Sequence, residues 1–346
     1  MWPYWLLLAL PGIGLVAPRR LERRIGVIAW TLLALVFVLA IGLRHDVGGD
    51  WHNYLRHLKY VSDVSLREAL NFDDPGYYFL NWLVARFGGG IYWVNLACGA
   101  ILASGIVVFA RRQPLPWLAA FVAVPYLVIV VGMGYTRQAT ALGFVLLGLV
   151  ALSDHRLRAF VVWVLLGTLF HKSAVLLIPV AALIARRQRG WTLAWVGVTA
   201  VLSAYLFLVD AADSLWVNYV EADYHSQGGL IRVLMNTVPA VLFLLLHRRM
   251  GLTSEEDRLW LWMSLFALAC VPLVMLSSTA TDRVALYLIP IQMFVFARLP
   301  LVARNPRNRA YLVAGVMAYY VLVQYVWLNY ATHAQYWLPY QAASLF

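Results

Sequence analysis

The stretch IGVIAWTLLALVFVLAIGL, residues 25–43, is apolar apart from Thr31 and long enough to cross a lipid bilayer as one helix. The chain continues at residues 44–54 with RHDVGGDWHNY, which contains three charged side chains, two glycines and an aromatic pair. Charged groups next to lipid are costly, so residues that directly follow a membrane crossing are candidates for function. Together the two stretches predict a membrane protein with reactive groups at one membrane face.

The composition of the whole chain is typical of a polytopic membrane protein. Of its 346 residues, 63% are hydrophobic and 12% are charged, which is more apolar surface than one soluble core could bury. The net charge of +11 would suggest nucleic acid as the partner of a soluble domain. In a membrane protein the distribution of charge among the loops matters more, so we expect the lipid bilayer, and no nucleic acid, as a partner.

Twelve apolar segments lie along the chain. They are residues 2–17, 25–43, 91–110, 115–131, 138–152, 159–170, 173–185, 191–209, 231–247, 259–277, 284–299 and 310–331. Several are shorter than the ~20 residues of a straight crossing, so tilt or flanking polar residues would have to complete them. The segments predict an all-α polytopic fold of about twelve transmembrane helices, which could be GT-C-like, in a single domain over residues 1–346.

Basic residues are concentrated in every second loop between these segments. If all twelve segments cross, 18 of the 27 Lys and Arg and 5 of the 16 Asp and Glu fall on one side, leaving 9 basic and 11 acidic residues on the other. Cytoplasmic loops of membrane proteins are enriched in Lys and Arg. We therefore predict that the basic loops are cytoplasmic and that both termini lie at the outer face.

The largest block outside the segments, residues 44–90, is predicted to lie at the outer face. Within it, DPGYYFLNWLVARFGGG at residues 74–90 is apolar, but its run between Pro75 and Gly88 is too short for a full crossing. Proline favours the first turn of a helix and glycine favours the end. We interpret this stretch as a re-entrant or interfacial helix.

Four arginines are predicted to converge on the outer face: Arg44, Arg137, Arg232 and Arg283. Guanidinium groups stay charged and bind phosphate oxygens in pairs, so this convergence suits a pyrophosphate-carrying lipid. Each arginine taken alone could instead snorkel at a helix end or pair with a neighbouring carboxylate. Arg137 is the hardest to explain in this way because it begins an apolar run, between Tyr135 and Gln138.

Two residues are candidates for a general base. His171 interrupts an apolar sequence, and an unperturbed histidine titrates near working pH, although it could also cap or anchor a helix. Asp50 is the second candidate, because a carboxylate of ordinary pKa is a weak base. Its alternative role is to cap the N-terminus of a helix, which would place Tyr54 on the same helix face.

Aromatic and polar side chains near these groups are predicted to bind the substrate. Most of the aromatic residues, which make up 14% of the chain, belong to the membrane interface or the core, but rings at the outer face could stack on sugars. The predicted substrate-binding residues are Trp51, Tyr54, Tyr77, Tyr135, Gln138 and Tyr287.

No cofactor and no metal is expected. The sequence contains neither a P-loop nor a glycine-rich Rossmann turn, and Cys98 and Cys270 lie inside apolar stretches with no zinc-site spacing. A second predicted outer-face loop, residues 210–230, contains the acidic pair Glu221 and Asp223. Two carboxylates in an acidic loop are weak evidence for a divalent ion.

Several short motifs follow one another in an order that resembles a known family. They are Arg44, GGD at 48–50 with Tyr54, DPGYYFL at 74–80, YTRQATA at 135–141, FHKSA at 170–174 and DRVALYLIP at 282–290. Over about residues 40–295 the chain resembles the EpsG family of exopolysaccharide biosynthesis membrane proteins, related in role to Wzy-type polymerases. The glycine doublet stands where Gly-Thr or Gly-Ser is familiar, and Asp74 stands where Glu is common, but neither departure removes a charge.

The resemblance implies a glycosyltransferase of the bacterial inner membrane whose active site faces outward. Such polymerases transfer an undecaprenyl-pyrophosphate-linked glycan onto a hydroxyl group of the next lipid-linked repeat unit. A chain-length regulator and export machinery are further partners that this role implies. An O-antigen ligase, a flippase or transporter of lipid-linked oligosaccharides, and a scaffold for a synthase complex stay open as alternatives.

Overall fold

The computed structural model describes residues 1–16, 23–184, 189–204 and 228–343, and most of these residues are helical. The helices are α1 (Trp2–Val16), α2 (Arg23–Gly42), α3 (Trp51–Ser62), α4 (Leu66–Leu70), α5 (Pro75–Arg86), α6 (Ile91–Arg111), α7 (Pro116–Gly134), α8 (Thr136–Ser153), α9 (Leu157–Thr168), α10 (Ile178–Ile184), α11 (Arg189–Ala204), α12 (Gly229–Leu246), α13 (Ser254–Leu276), α14 (Ser278–Leu286), α15 (Pro290–Phe296) and α16 (Pro306–Tyr330). Short 3-10 helices lie at Lys172–Leu177, His247–Arg249, Leu299–Val302 and Thr332–Tyr336. Strand pairing in these ranges is limited to one isolated bridge, between Arg44 and Ala342. The all-α prediction is confirmed.

Seven helices in the described ranges are long and apolar enough to cross a membrane: α2, α6, α7, α8, α12, α13 and α16. Helix α14 and the stretch Pro290–Val302 would form an eighth crossing, bent by 51°. Helices α1 and α9 are apolar but have only 15 and 12 residues. The predicted count of about twelve is therefore not confirmed, because several apolar segments form helices too short to span a bilayer unaided.

Helix α7 lies at the centre of the fold. Its apolar window is 94% buried, against 22% to 39% for α2, α12, α13 and α16. Beside it, α6 and α8 pack so closely that a Cβ atom on Gly105 would lie 2.4 Å from the carbonyl oxygen of Gly143. Small residues permit this close approach of helices in membranes. The less buried helices carry exposed apolar side chains, as expected of helices that contact lipid.

The predicted cytoplasmic loops meet at one end of the helices. Arg112, the residue after α6, forms two hydrogen bonds of 3.0 and 2.9 Å with the carboxylate of Asp154 after α8. At the same loops, Arg298 contacts Glu256 at 3.2 Å and also donates to the side chain of Gln113. Loops from four parts of the sequence thus contact one another as predicted for a common face.

The predicted outer-face region contains three short helices, α3 to α5. Helix α5 begins at Pro75, and the chain turns after it at Gly88, which has φ of +70°. These bounds confirm the predicted short helix, although its position relative to a bilayer stays a prediction. Residues 210–227 of the second predicted outer loop, which include Glu221 and Asp223, lie outside the described residues.

Gly48 fixes the turn between α2 and α3. Its φ of +102° favours glycine, and a Cβ atom there would lie 2.3 Å from the carbonyl oxygen of Met133 at the end of α7. Its backbone N–H donates to the carbonyl oxygen of Tyr336 at 2.8 Å. The sequence GGD is therefore held against both the central helix and the C-terminal segment.

Candidate active site

Arg137, in the first turn of α8, pairs with a carboxylate from a distant part of the chain. Its Nη1 lies 2.7 Å from Oδ2 of Asp74, and Asp74 is buried whereas 31% of the Arg137 side chain is exposed. The other carboxylate oxygen accepts a 3.3 Å hydrogen bond from the backbone N–H of Lys172. The Lys172 ammonium in turn lies 3.0 Å from Asp73. One buried carboxylate thus connects α5, α8 and the segment after α9.

His171 lies in extended backbone immediately after α9 and is buried. Its Nδ1 is 3.1 Å from the hydroxyl oxygen of Tyr287, the residue after α14. Burial lowers the pKa of this histidine well below its usual value, and three nearby cations, Arg137, Arg283 and Lys172, lower it further. The imidazole is therefore neutral at pH 7, which is the form that a general base requires.

Side-chain contacts join α14 to two other helices, α8 and α12. The side-chain amide of Gln138 donates to the carbonyl oxygen of Arg283 at 2.8 Å. The guanidinium of Arg232, in the first turn of α12, donates to both carboxylate oxygens of Asp282. Arg137, Arg232 and Arg283 consequently occupy one connected region at the ends of three helices.

Tyr135 directly precedes α8 and lies near the charged groups of Asp282, Asp50 and Arg283. Burial raises its pKa, the carboxylates of Asp282 and Asp50 raise it further, and the charge of Arg283 lowers it. Asp50 is the residue before α3, but its carboxylate accepts a 3.2 Å hydrogen bond from Asn53 and does not cap the helix backbone. Asp50 therefore lies at the edge of this region without a capping role.

Arg44 has a different environment from the other arginines. It is completely buried, and its guanidinium donates to the carbonyl oxygens of Ile41 and Val47 at 2.5 and 3.2 Å. It also donates to the side chains of Thr136 at 2.7 Å and Asn95 at 3.4 Å. Since protein acceptors already surround this cation, we interpret Arg44 as a support for the loop after α2, not as a residue that contacts pyrophosphate.

Three of the aromatic side chains predicted to bind the substrate lie together in the protein interior. Trp51, Tyr54 and Tyr77 form a cluster between α3 and α5, in which Tyr54 and Tyr77 pack edge to face with 5.7 Å between ring centroids. Buried rings cannot offer a face to a sugar without a rearrangement. Burial also raises the pKa of Tyr54 to about 12, so this hydroxyl is a hydrogen-bonding group and not a base.

Asp74 and Lys172 belong to the region, but neither of them has a specific role in the site that was predicted from the sequence. The signals available in the sequence were the carboxyl pair DDP before a helix-starting proline and the lysine beside His171. Neither signal identifies a partner, because Asp74 and Arg137 are 63 positions apart. Among the residues that the structure describes, no cluster of His, Cys, Asp or Glu could hold a metal ion.

The comparison with known families agrees with the resemblance described above. No curated protein and no solved structure matches the chain, so a GT-C-like arrangement stays a prediction. The EpsG family matches residues 27–342. Because this range covers nearly the whole sequence and all the residues of the site, the chain belongs to the EpsG family, a family of Wzy-type exopolysaccharide polymerases.

Proposed function

We propose that this protein polymerises a polysaccharide at the outer face of the bacterial inner membrane. The donor is a glycan linked to undecaprenyl pyrophosphate, and the acceptor is a hydroxyl group of a lipid-linked repeat unit. One observation carries the proposal: a buried histidine, whose Nδ1 lies 3.1 Å from the Tyr287 hydroxyl, belongs to the same region as Arg137 and Arg283, whose charges lower its pKa. This combination offers a base for the acceptor and cations for the pyrophosphate in one place.

The base in this proposal is His171. If Nδ1–H donates to the Tyr287 hydroxyl oxygen, Nε2 holds the lone pair that accepts the proton of the attacking hydroxyl. The acceptor oxygen then bonds to the anomeric carbon, and the bond from that carbon to the pyrophosphate oxygen breaks. A bound pyrophosphate offsets the charges of Arg137 and Arg283, so donor binding strengthens the base.

The arginines stabilise the leaving group. Negative charge on the pyrophosphate grows in the transition state, and guanidinium groups that are already in position lower the barrier without reorganisation. Arg137 is the principal ligand in this proposal because it is partly exposed while Asp74 fixes its orientation. Arg283 binds the pyrophosphate at the end of α14, and Arg232, whose guanidinium already binds Asp282, adds positive charge at the start of α12. This leaving-group chemistry uses no metal ion.

The proposal is tested by incubating the purified protein with a synthetic lipid-pyrophosphate repeat unit. We expect a ladder of glycans and released lipid pyrophosphate, with the same yield in the presence of a chelator. Transfer only to a lipid A acceptor would identify a ligase, and neither product would contradict the proposal. Loss of the ladder on chelation, with recovery on adding a divalent ion, would assign the leaving-group chemistry to a metal instead.

The outward orientation of the site is the second testable part of the proposal. In a chain lacking Cys98 and Cys270, His52→Cys should react with a membrane-impermeant thiol reagent added outside intact cells. Arg111→Cys should react only after the membrane is opened, because basic loops are retained in the cytoplasm. Both positions are exposed in the structure. Labelling of Arg111→Cys from outside would reverse the assignment and make the proposed outer active site wrong.

A further inference from the structure

An apolar cleft of about 570 Å³ lies between α7, α12 and α16. Its walls are mostly aliphatic and aromatic, and Val238 on α12 and Val326 on α16 line it while remaining partly exposed. All three helices are long and apolar enough to cross a membrane, so we expect an opening between them to face acyl chains and not water. Concave, largely apolar spaces of ~300–1,000 Å³ with a few polar groups are typical ligand sites.

The cleft is elongated along the helices. On α16 its lining extends from Tyr319 to Tyr330, which corresponds to about 16 Å along a helix axis. On α12 it extends from Ile231 to Val238. Its shape therefore fits a single apolar chain lying parallel to the helices.

One end of the cleft joins the candidate active site. Tyr135 and Arg232 line the cleft, and both also belong to the charged region. Arg232 binds the carboxylate of Asp282, and the residue after Asp282 is held by Gln138 on α8. A molecule in the cleft would consequently place its head at the arginines and its chain along α12 and α16.

We infer that this cleft binds the polyisoprenoid chain of the lipid-linked donor, an assignment that rests on the proposed function. Continuity with the cationic region favours this occupant over a bilayer phospholipid or another segment of this chain. The pyrophosphate is attached directly to the isoprenoid, so one molecule fills both the apolar and the cationic parts. The cleft thus positions the anomeric carbon relative to His171.

Two matched pairs of substitutions test the assignment. Val326→Trp fills the cleft, whereas Val321→Trp changes the same residue type on the same helix outside the lining; the two valines are 46% and 41% exposed. Val238→Trp and Val241→Trp form the equivalent pair on α12, with 45% and 40% exposure. The second pair keeps the test available if the first cleft variant does not fold.

Turnover is measured with an undecaprenyl donor and with a geranyl donor that carries the same glycan. We expect the cleft variants to raise the KM for the long donor about tenfold, because losing contact with two methylene groups is sufficient for this. The KM for the geranyl donor and both KM values of the control variants should stay unchanged. Equal effects on the long and short donors, or wild-type KM values independent of chain length, would overturn the inference while leaving the proposed function intact.

Binding is measured separately, so that an inactive protein does not leave the inference untested. A polyprenyl diphosphate with a diazirine at the chain end should label peptides of α12 and α16, and unlabelled undecaprenyl pyrophosphate should compete. Labelling by a diazirine phosphatidylglycerol that the polyprenyl compound does not displace would identify an ordinary lipid site. Absence of labelling by both probes would mean that the cleft is occupied by the protein itself, and would also overturn the inference.

Discussion

Replacing His171 by alanine is expected to slow glycan transfer about 10²–10⁴-fold, which is the usual contribution of a general base. Donor binding should survive, because the cations remain when the imidazole is removed. The measurement is turnover and lipid-pyrophosphate binding on one folded preparation. His52→Ala is the matched control, since His52 belongs to the same face but 78% of its side chain is exposed.

The pH profile distinguishes a base from a structural histidine. Protonation would inactivate the base, and burial beside cations lowers the pKa of His171 below its usual value. Since kcat/KM reports groups of the free enzyme, its acid limb should lie below the ordinary histidine pKa of about 6.5. Near-normal turnover of His171→Ala would contradict the assignment and transfer the role to Asp50. Loss of donor binding would instead make His171 a pyrophosphate ligand.

Replacing Arg137 by lysine is expected to reduce turnover about 10²–10³-fold, which is the typical cost of losing a transition-state hydrogen-bond donor. Lysine keeps the positive charge, but it lacks the planar fork that binds two phosphate oxygens at once. The variant should still insert into the membrane, because the buried Asp74 keeps a cationic partner. Arg112→Lys is the control, since Arg112 likewise pairs with a carboxylate, through two hydrogen bonds, at the opposite end of the helices.

A double variant separates catalysis from ion pairing. Arg137→Gln alone leaves Asp74 buried and unpaired, which is strongly destabilising in its own right. Arg137→Gln combined with Asp74→Asn removes both charges, so the protein should recover its thermal stability. Turnover should stay low if Arg137 binds pyrophosphate. Recovery of turnover together with stability would show that Arg137 serves only to neutralise Asp74.

Local patterns predicted the helical content and several helix ends. The run at residues 25–43 forms α2, which ends at Gly42, and Pro75 and Gly88 bound α5 as expected. Hydropathy and the backbone preferences of proline and glycine act within one or two turns of the chain, so they can be read without a structure. The number of crossings was harder to predict from the sequence, because it depends on how neighbouring helices support the short ones.

The roles of the charged residues depended on contacts that are distant in sequence. Arg44 follows an apolar run and Arg137 begins one, so the sequence around them is similar. In the structure Arg44 is enclosed by protein acceptors, whereas Arg137 is partly exposed. His171 meets Tyr287 across 116 positions. The assigned chemical roles stay predictions, but the structure shows which of these groups are near one another.

The sequence by itself determined that this protein is helical and lies in a membrane, and it predicted that the basic loops share one side, because hydropathy and charge act segment by segment. Only the tertiary structure decided that Asp74 orients Arg137, that Arg44 is enclosed, and that an apolar cleft leads to the arginines. These features arise where helices from separate parts of the chain pack together. The free energy of burying a charge or opening a cleft is set by all the neighbours at once, and no local pattern records them.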